Sequence, residues 1–137
     1  MKKLIINAVA QCVGCRQCEL ICSLIKEKGF APWLARIQVK RDEEIVLAEP
    51  IICQQCIDAP CAAVCPVDAI VKSETTEVLH VDQIECIGCM QCVEACPYGA
   101  MVFDAQKGKV FKCDMCWGEP ACISVCPANV LGIEEVN

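Results

Sequence analysis

Large side chains are scarce in this chain, whose 137 residues include only three Phe, two Trp, one Tyr and a single His. So few bulky groups leave little to build a core from, so bound inorganic groups are expected to take up the space, and a chain without them is expected to fold poorly. An excess of positive charge is missing too: 12 Lys and Arg against 18 Asp and Glu give a formal charge of −6, which argues against a nucleic-acid partner. The acids read as a solvated face. Long uncharged runs are absent. Leu4 to Cys15 spans about a dozen residues and includes Asn7 and Gln11, short of the roughly 18 a spanning helix needs, so no membrane insertion is expected. Met1-Lys2-Lys3 followed by Leu4-Ile5-Ile6 imitates the start of a signal peptide, but the apolar stretch is very short and soon meets Cys12, so export is not expected and a cytoplasmic location is. No Ser-His-Asp set, phosphate loop or paired-carboxylate signature is visible, and no catalytic residue is expected.

What the chain has in excess is cysteine, 16 residues or about 12% of the whole, far above ordinary usage. Without them the apolar fraction falls from 55% to about 43%, an ordinary globular value. The cysteines form four groups of four. Cys12, Cys15, Cys18 and Cys22 read C-x2-C-x2-C-x3-C, and Cys86, Cys89, Cys92 and Cys96 repeat that spacing with Pro97 added. Cys53, Cys56, Cys61 and Cys65 (then Pro66), and Cys113, Cys116, Cys122 and Cys126 (then Pro127), keep the first and last spacings with a longer middle gap, four residues in one and five in the other. This is an internal repeat of one unit whose spacing is that of the iron–sulfur ferredoxin run.

Three thiolates at such short steps wrap a loop around one compact cube, while the fourth sits on the following helical turn and points away; in two-cluster ferredoxins it ligates the neighbouring cluster. Which group pairs with which stays open among three options. Gly14 and Gly88, at the second gap position, suit a tight loop with its N–H groups turned toward the cluster, and proline after the fourth cysteine stops the turn. Structural zinc favours two knuckles separated by a longer stretch. A disulfide framework suits a secreted chain, and pairings this dense would be strained. Sixteen thiolates at four apiece imply four 4Fe-4S clusters, with no iron left open for substrate.

Between the groups lie short alternating segments: Arg36 to Lys40 with Ile45 to Ala48 around Arg41-Asp42-Glu43-Glu44, Ala69 to Lys72 with Glu77 to Val81, and Ala100 to Phe103 with Lys109 to Lys112 across Gly108. These predict hairpins. The fourth cysteines are expected in short helices such as Ala62-Ala63-Val64-Cys65 and Val93-Glu94-Ala95-Cys96. The fold class is therefore α+β, a bacterial-type ferredoxin half used four times.

The layout, with Cys12-Val-Gly-Cys-Arg-Gln-Cys-Glu-Leu-Ile-Cys at the start and Lys112-Cys-Asp-Met-Cys-Trp-Gly-Glu-Pro-Ala-Cys near the end, resembles the sixteen-cysteine electron-transfer subunits of molybdenum and tungsten oxidoreductases. The compact length and the Phe30-Ala-Pro…Ala35-Arg36-Ile37 stretch look closest to the small subunit that partners tungsten aldehyde ferredoxin oxidoreductases. The resemblance implies two dicluster modules, an inner one (50–104) nested in an outer one (1–49 plus 105–137). It also implies the ligand sets: Cys12, Cys15, Cys18 and Cys126; Cys53, Cys56, Cys61 and Cys96; Cys86, Cys89, Cys92 and Cys65; and Cys113, Cys116, Cys122 and Cys22. The implied role is a noncatalytic subunit of anaerobic metabolism that relays single electrons between a tungstopterin or molybdopterin subunit and a ferredoxin, a flavin subunit or another copy of itself. A free polyferredoxin is the alternative, as is the iron–sulfur subunit of a formate dehydrogenase, hydrogenase or carbon monoxide dehydrogenase system. Some relatives add a C-terminal membrane helix; with 11 residues after Cys126, none is expected here.

The remaining conspicuous residues carry weaker signals. His80 reads as an ordinary strand residue. Trp33 and Trp117 are expected to pack on cluster loops more than to pave a partner surface. Arg16 and Lys112 stand beside cluster ligands, where a positive charge raises a reduction potential; as surface charges they would do nothing.

Overall fold

The computed structural model describes residues 2–7, 11–42 and 47–135. Its eight strands form four separate antiparallel pairs: β1 (Lys2–Ile6) with β8 (Leu131–Glu135), β2 (Gln38–Asp42) with β3 (Leu47–Ile51), β4 (Ile70–Lys72) with β5 (Leu79–Val81), and β6 (Val102–Asp104) with β7 (Lys109–Phe111). The last three are the hairpins expected from alternation. The first of these runs further along the chain than predicted, from Gln38 to Ile51, and Glu43, Glu44, Ile45 and Val46 of its expected turn and return strand lie outside the described residues. The β1–β8 pair was not foreseen. It joins the two ends of the chain in the register Lys2 to Glu135 through Ile6 to Leu131.

Among the described residues four α-helices, α1 (Gln17–Glu27), α2 (Pro60–Val64), α3 (Gln91–Ala95) and α4 (Ala121–Val125), and two short 3-10 turns, Pro32–Leu34 and Met115–Gly118, lie between the strands. The last three α-helices stop at the fourth cysteine, so Cys65, Cys96 and Cys126 are the capping residues just past the helix and not part of it. The following proline is the cause. A residue before proline is pushed out of the helical region toward extended ψ, and these three cysteines have ψ of 117°, 116° and 112°. After Cys22 stands Ser23 instead, so α1 runs on to 11 residues and carries its fourth cysteine inside the helix. The expectation of a short helix in every unit fails there for this reason.

Small side chains and sulfur make up the core. One cluster gathers Leu4, Ile37, Val39, Ala48, Ile52, Val78, Met115 and Leu131 around Cys18 and Cys122. The other gathers Ala59, Ala69, Ile70, Val81, Met101 and Val110 around Cys61, Cys86 and Cys92. No aromatic residue is among these buried members. The buried aliphatic side chains each contribute about 1.5–3 kcal/mol. α1 reverses the usual polarity of a surface helix, since it buries Glu19 and Ser23 while Leu20, Leu24 and Ile25 stay exposed. The Glu19 carboxylate accepts the Val39 backbone N–H and the Arg16 guanidinium, which ties α1 to β2. Lys26 of α1 pairs with Asp114 at 2.7 Å, joining the first and fourth cysteine runs.

Candidate metal centres

Each cysteine loop is shaped by a left-handed residue at the second position of its first gap. Gly14 and Gly88 have φ of 71° and 72°, and Gln55 and Met115 hold the equivalent position at 47° and 59°. The turn aims the following backbone inward, and in the second and fourth runs the N–H of Gln55 donates to Cys53 Sγ (3.5 Å) and that of Met115 to Cys113 Sγ (3.4 Å). A second repeat follows the Cys-Pro steps. Three residues beyond Cys65, Cys96 and Cys126, the residues Asp68, Gly99 and Asn129 are again left-handed. The next N–H in each case returns to the sulfur: Ala69 to Cys65 (3.2 Å), Ala100 to Cys96 (3.5 Å) and Val130 to Cys126 (3.4 Å). Cys22, which lacks the proline, takes its bond from the distant Arg36 N–H at 3.2 Å.

The four runs close around four cavities of similar size, about 370, 310, 350 and 360 Å³. The first is lined by Cys12, Cys15, Cys18 and Cys126. The second holds Cys86, Cys89, Cys92 and Cys65. The third holds Cys53, Cys56, Cys61 and Cys96, and the fourth Cys113, Cys116, Cys122 and Cys22. Every cavity thus draws three thiols from one run and the fourth from another; the other lining is largely apolar in the first three, while Lys26, Arg36 and Asp114 join it in the fourth. Among the described residues no group of three or more His, Cys, Asp or Glu is placed to hold a single metal ion. Four thiols spread around a cavity, with backbone N–H groups aimed at several sulfurs, suit a larger body bound through soft ligands.

Burial raises several of the thiols. It pushes Cys18, Cys113 and Cys122 up to about 12 and Cys92 to about 11, in each case as the largest influence. Burial also raises Cys22, against the opposing N–H and charge of Arg36. Cys126 goes the other way: its burial is outweighed by backbone N–H groups led by that of Val130, and its pKa is lowered. Charge contacts also order the cavities. Cys122 feels Cys18, Cys113 feels Cys53, and Cys92 feels Cys61. The cavities therefore neighbour one another in the order of those holding Cys18, Cys113, Cys53 and Cys92. Cys15 and Cys89, in the two end cavities, are the exposed cysteines.

The weaker signals resolve differently. Arg16 forms an ion pair with Glu19, whereas Lys112 is buried at 5% exposure. Trp33 is 66% exposed and meets Phe30 edge-on at 6.4 Å, so it is not packed on a cysteine loop. Trp117, half exposed, lies 5.1 Å from His80, which stands on β5 opposite Val71. Gln55 was missed: it is 2% exposed and bonds to Leu79 and Cys113, and no local feature of the sequence signals that.

The model of the family described as "4Fe-4S dicluster domain" matches residues 44–136. The electron transport protein HydN of Escherichia coli (strain K12) is 38% identical, over 96% of this chain and 87% of its own. The polyferredoxin-like subunit of the aliphatic sulfonate oxidoreductase of Pyrococcus furiosus is 40% identical over 85% of this chain and 66% of its own. The thiosulfate reductase electron transfer subunit PhsB of Salmonella typhi is 33% identical over 88% of this chain and 69% of its own. A chain of the active-site complex BamBC of benzoyl coenzyme A reductase, bound to benzoyl-CoA, shares the fold at a TM-score of 0.57 and 24% identity, over 100% of this chain and 82% of its own. With sixteen thiols arranged in this way and the family model spanning residues 44–136, the protein belongs to the 4Fe-4S dicluster domain family.

Proposed function

We propose that this chain is a noncatalytic subunit that relays single electrons through four 4Fe-4S clusters, between a catalytic oxidoreductase subunit and a redox acceptor. The observation that carries the proposal is the set of four cavities, each ringed by four cysteines of which three come from one run and one from another. A 4Fe-4S cluster, when bound, supplies one-electron redox chemistry. The residues do the rest: thiolates hold, backbone N–H groups donate to sulfur, and aliphatic walls exclude water, all of which set a potential. The single file of cavities, with Cys15 exposed at one end and Cys89 at the other, favours entry and exit at opposite poles.

In this reading the ligand sets are Cys12, Cys15, Cys18 and Cys126; Cys113, Cys116, Cys122 and Cys22; Cys53, Cys56, Cys61 and Cys96; and Cys86, Cys89, Cys92 and Cys65. On the same reading residues 50–104 form the inner module and 1–49 plus 105–137 the outer one; the two cores follow that division except that Ile52 and Val78 pack in the outer core and Val110 in the inner one, and β3 and β6–β7 cross its boundaries. The catalytic partner carries tungstopterin or molybdopterin, a reading that the HydN, PhsB and sulfonate oxidoreductase relatives support only as far as an oxidoreductase system. Among the described residues no helix is long and apolar enough to cross a membrane. Sixteen thiols outside any disulfide suit the reducing cytoplasm.

The test is anaerobic loading followed by metal analysis and electron paramagnetic resonance. About sixteen irons and sixteen sulfides per chain are expected. Cys12→Ser and Cys126→Ser should perturb the same resonance, and Cys116→Ser a different one. Zinc as the main metal, or Cys22 on one centre with Cys18, overturns the ligand sets. Co-purification with a large subunit is expected. Substrate turnover by the chain alone overturns the noncatalytic role.

A further inference from the structure

A closed polar network lies between the two middle cavities. The Lys112 ammonium donates to Leu79 O (2.7 Å) and to Cys113 O (3.2 Å). Gln55 completes the ring: its Nε2 donates to the same Cys113 oxygen (2.9 Å), and its Oε1 accepts the Leu79 N–H (2.9 Å). Lys112 and Gln55 are 5% and 2% exposed. Lys112 lines the cavity of Cys53, Cys56, Cys61 and Cys96 and directly precedes Cys113 of the next.

Burying an ammonium is costly unless charge opposes it, and the described bonds of Lys112 go to neutral carbonyl oxygens. The two four-cysteine sites that Lys112 stands between would supply that charge once their thiols are bound as thiolates. The balance of influences agrees, because Lys112 opposes the effect of burial at both Cys61 and Cys113. The other cations lining these cavities are each paired to a carboxylate: Arg16 to Glu19, Lys26 to Asp114 and Arg36 to Glu27.

We propose that Lys112, positioned by Gln55 between the two middle four-cysteine sites, is the charge that raises the reduction potentials of the centres held there and leaves those at the two ends of the file largely unaffected. A fixed positive charge in a poorly screened interior favours the state with one more electron on each neighbour, and its influence falls with distance. The inference rests on the four-cluster reading above. Gln55 is a positioning residue within it, tying the second cysteine run to the fourth.

The experiment is a redox titration of the loaded full-length protein followed by electron paramagnetic resonance, with iron and sulfide counted in every sample. Lys112→Gln keeps two donors for the two carbonyls but removes the charge; Lys112→Arg keeps the charge; Gln55→Asn cuts the bridge while tolerating the left-handed backbone. Two of the four midpoint potentials should fall in K112Q, fall by a smaller amount in Q55N, where Lys112 keeps its charge but loses its fixed place, and stay near the wild-type values in K112R; a Q55N protein with wild-type potentials would remove Gln55 from the assignment. Four unmoved potentials, four equally shifted ones, or a Q55N shift matching that of K112Q would overturn the assignment. So would a K112Q protein that loads fewer than four centres while K112R loads all four, since Lys112 would then be a structural prop. A wild-type chain that itself loads fewer than four centres would instead bring down the four-cluster reading.

Discussion

At the scale of single residues, the left-handed position in each cysteine loop separates what glycine tells from what it hides. Gly14 and Gly88 announce that backbone through their composition, while Gln55 and Met115 adopt it with no such sign. Gln55 is held there by Leu79 and Cys113, far away in sequence, so only the folded chain reveals it. A β-carbon at Gly88 would lie 2.1 Å from the Gly108 carbonyl oxygen in the β6–β7 turn, whereas one at Gly99, also left-handed, would meet nothing within 4 Å. Gly99→Ala should therefore cost only the conformational penalty of about 1–2 kcal/mol, and Gly88→Ala clearly more, because backbone must shift. Following the loss of visible absorbance of the loaded protein in guanidinium checks this: G88A should bleach well before G99A, and equal rates would refute it.

Among elements, proline decides where helices stop. Pro66, Pro97 and Pro127 were readable as terminators, and the three hairpins were readable from alternation. The length of α1 is readable too, from the serine that follows Cys22 where the other three runs carry proline. The β1–β8 pair was not legible, because its strands stand at opposite ends of the chain and neither alternates clearly. The bond from Arg36 N–H to Cys22 was equally hidden, being the long-range substitute for the local bond the Cys-Pro units make. Ser23→Pro should cut α1 at Cys22, at a cost of about 3 kcal/mol, and release both the Lys26–Asp114 and the Arg36–Glu27 ion pairs. The expected outcome is loss of the centre bounded by Cys22, read as roughly four fewer irons per chain. Pro97→Ala, by contrast, should retain full iron.

For the molecule as a whole, the raised thiols set how loading responds to pH. Cys18, Cys113 and Cys122 stand near 12 and Cys92 near 11 without metal, so all four are protonated at neutral pH, while metal binding needs thiolates. Loading releases protons, so it strengthens as pH rises and weakens as pH falls. Iron uptake should be more complete at pH 8 than at pH 6, and loading in unbuffered solution should acidify it; a pH-independent yield would contradict this. Stripping the iron should leave cores short of bulky side chains and increase the binding of a hydrophobic dye. Each oxidised cluster with its thiolates carries about −2, so the loaded chain should behave as though near −14, and its docking to a basic partner face should weaken steeply with salt. The pairing of β1 with β8 also bears on how the protein is made. A ribosome that has delivered residues up to Cys96 has supplied every thiol of the two cavities built from Cys53 to Cys96. Cys12, Cys15 and Cys18, although translated first, wait for Cys126, and Cys22 waits for Cys113, Cys116 and Cys122. The earliest cysteines in the nascent chain are thus the last to be enclosed.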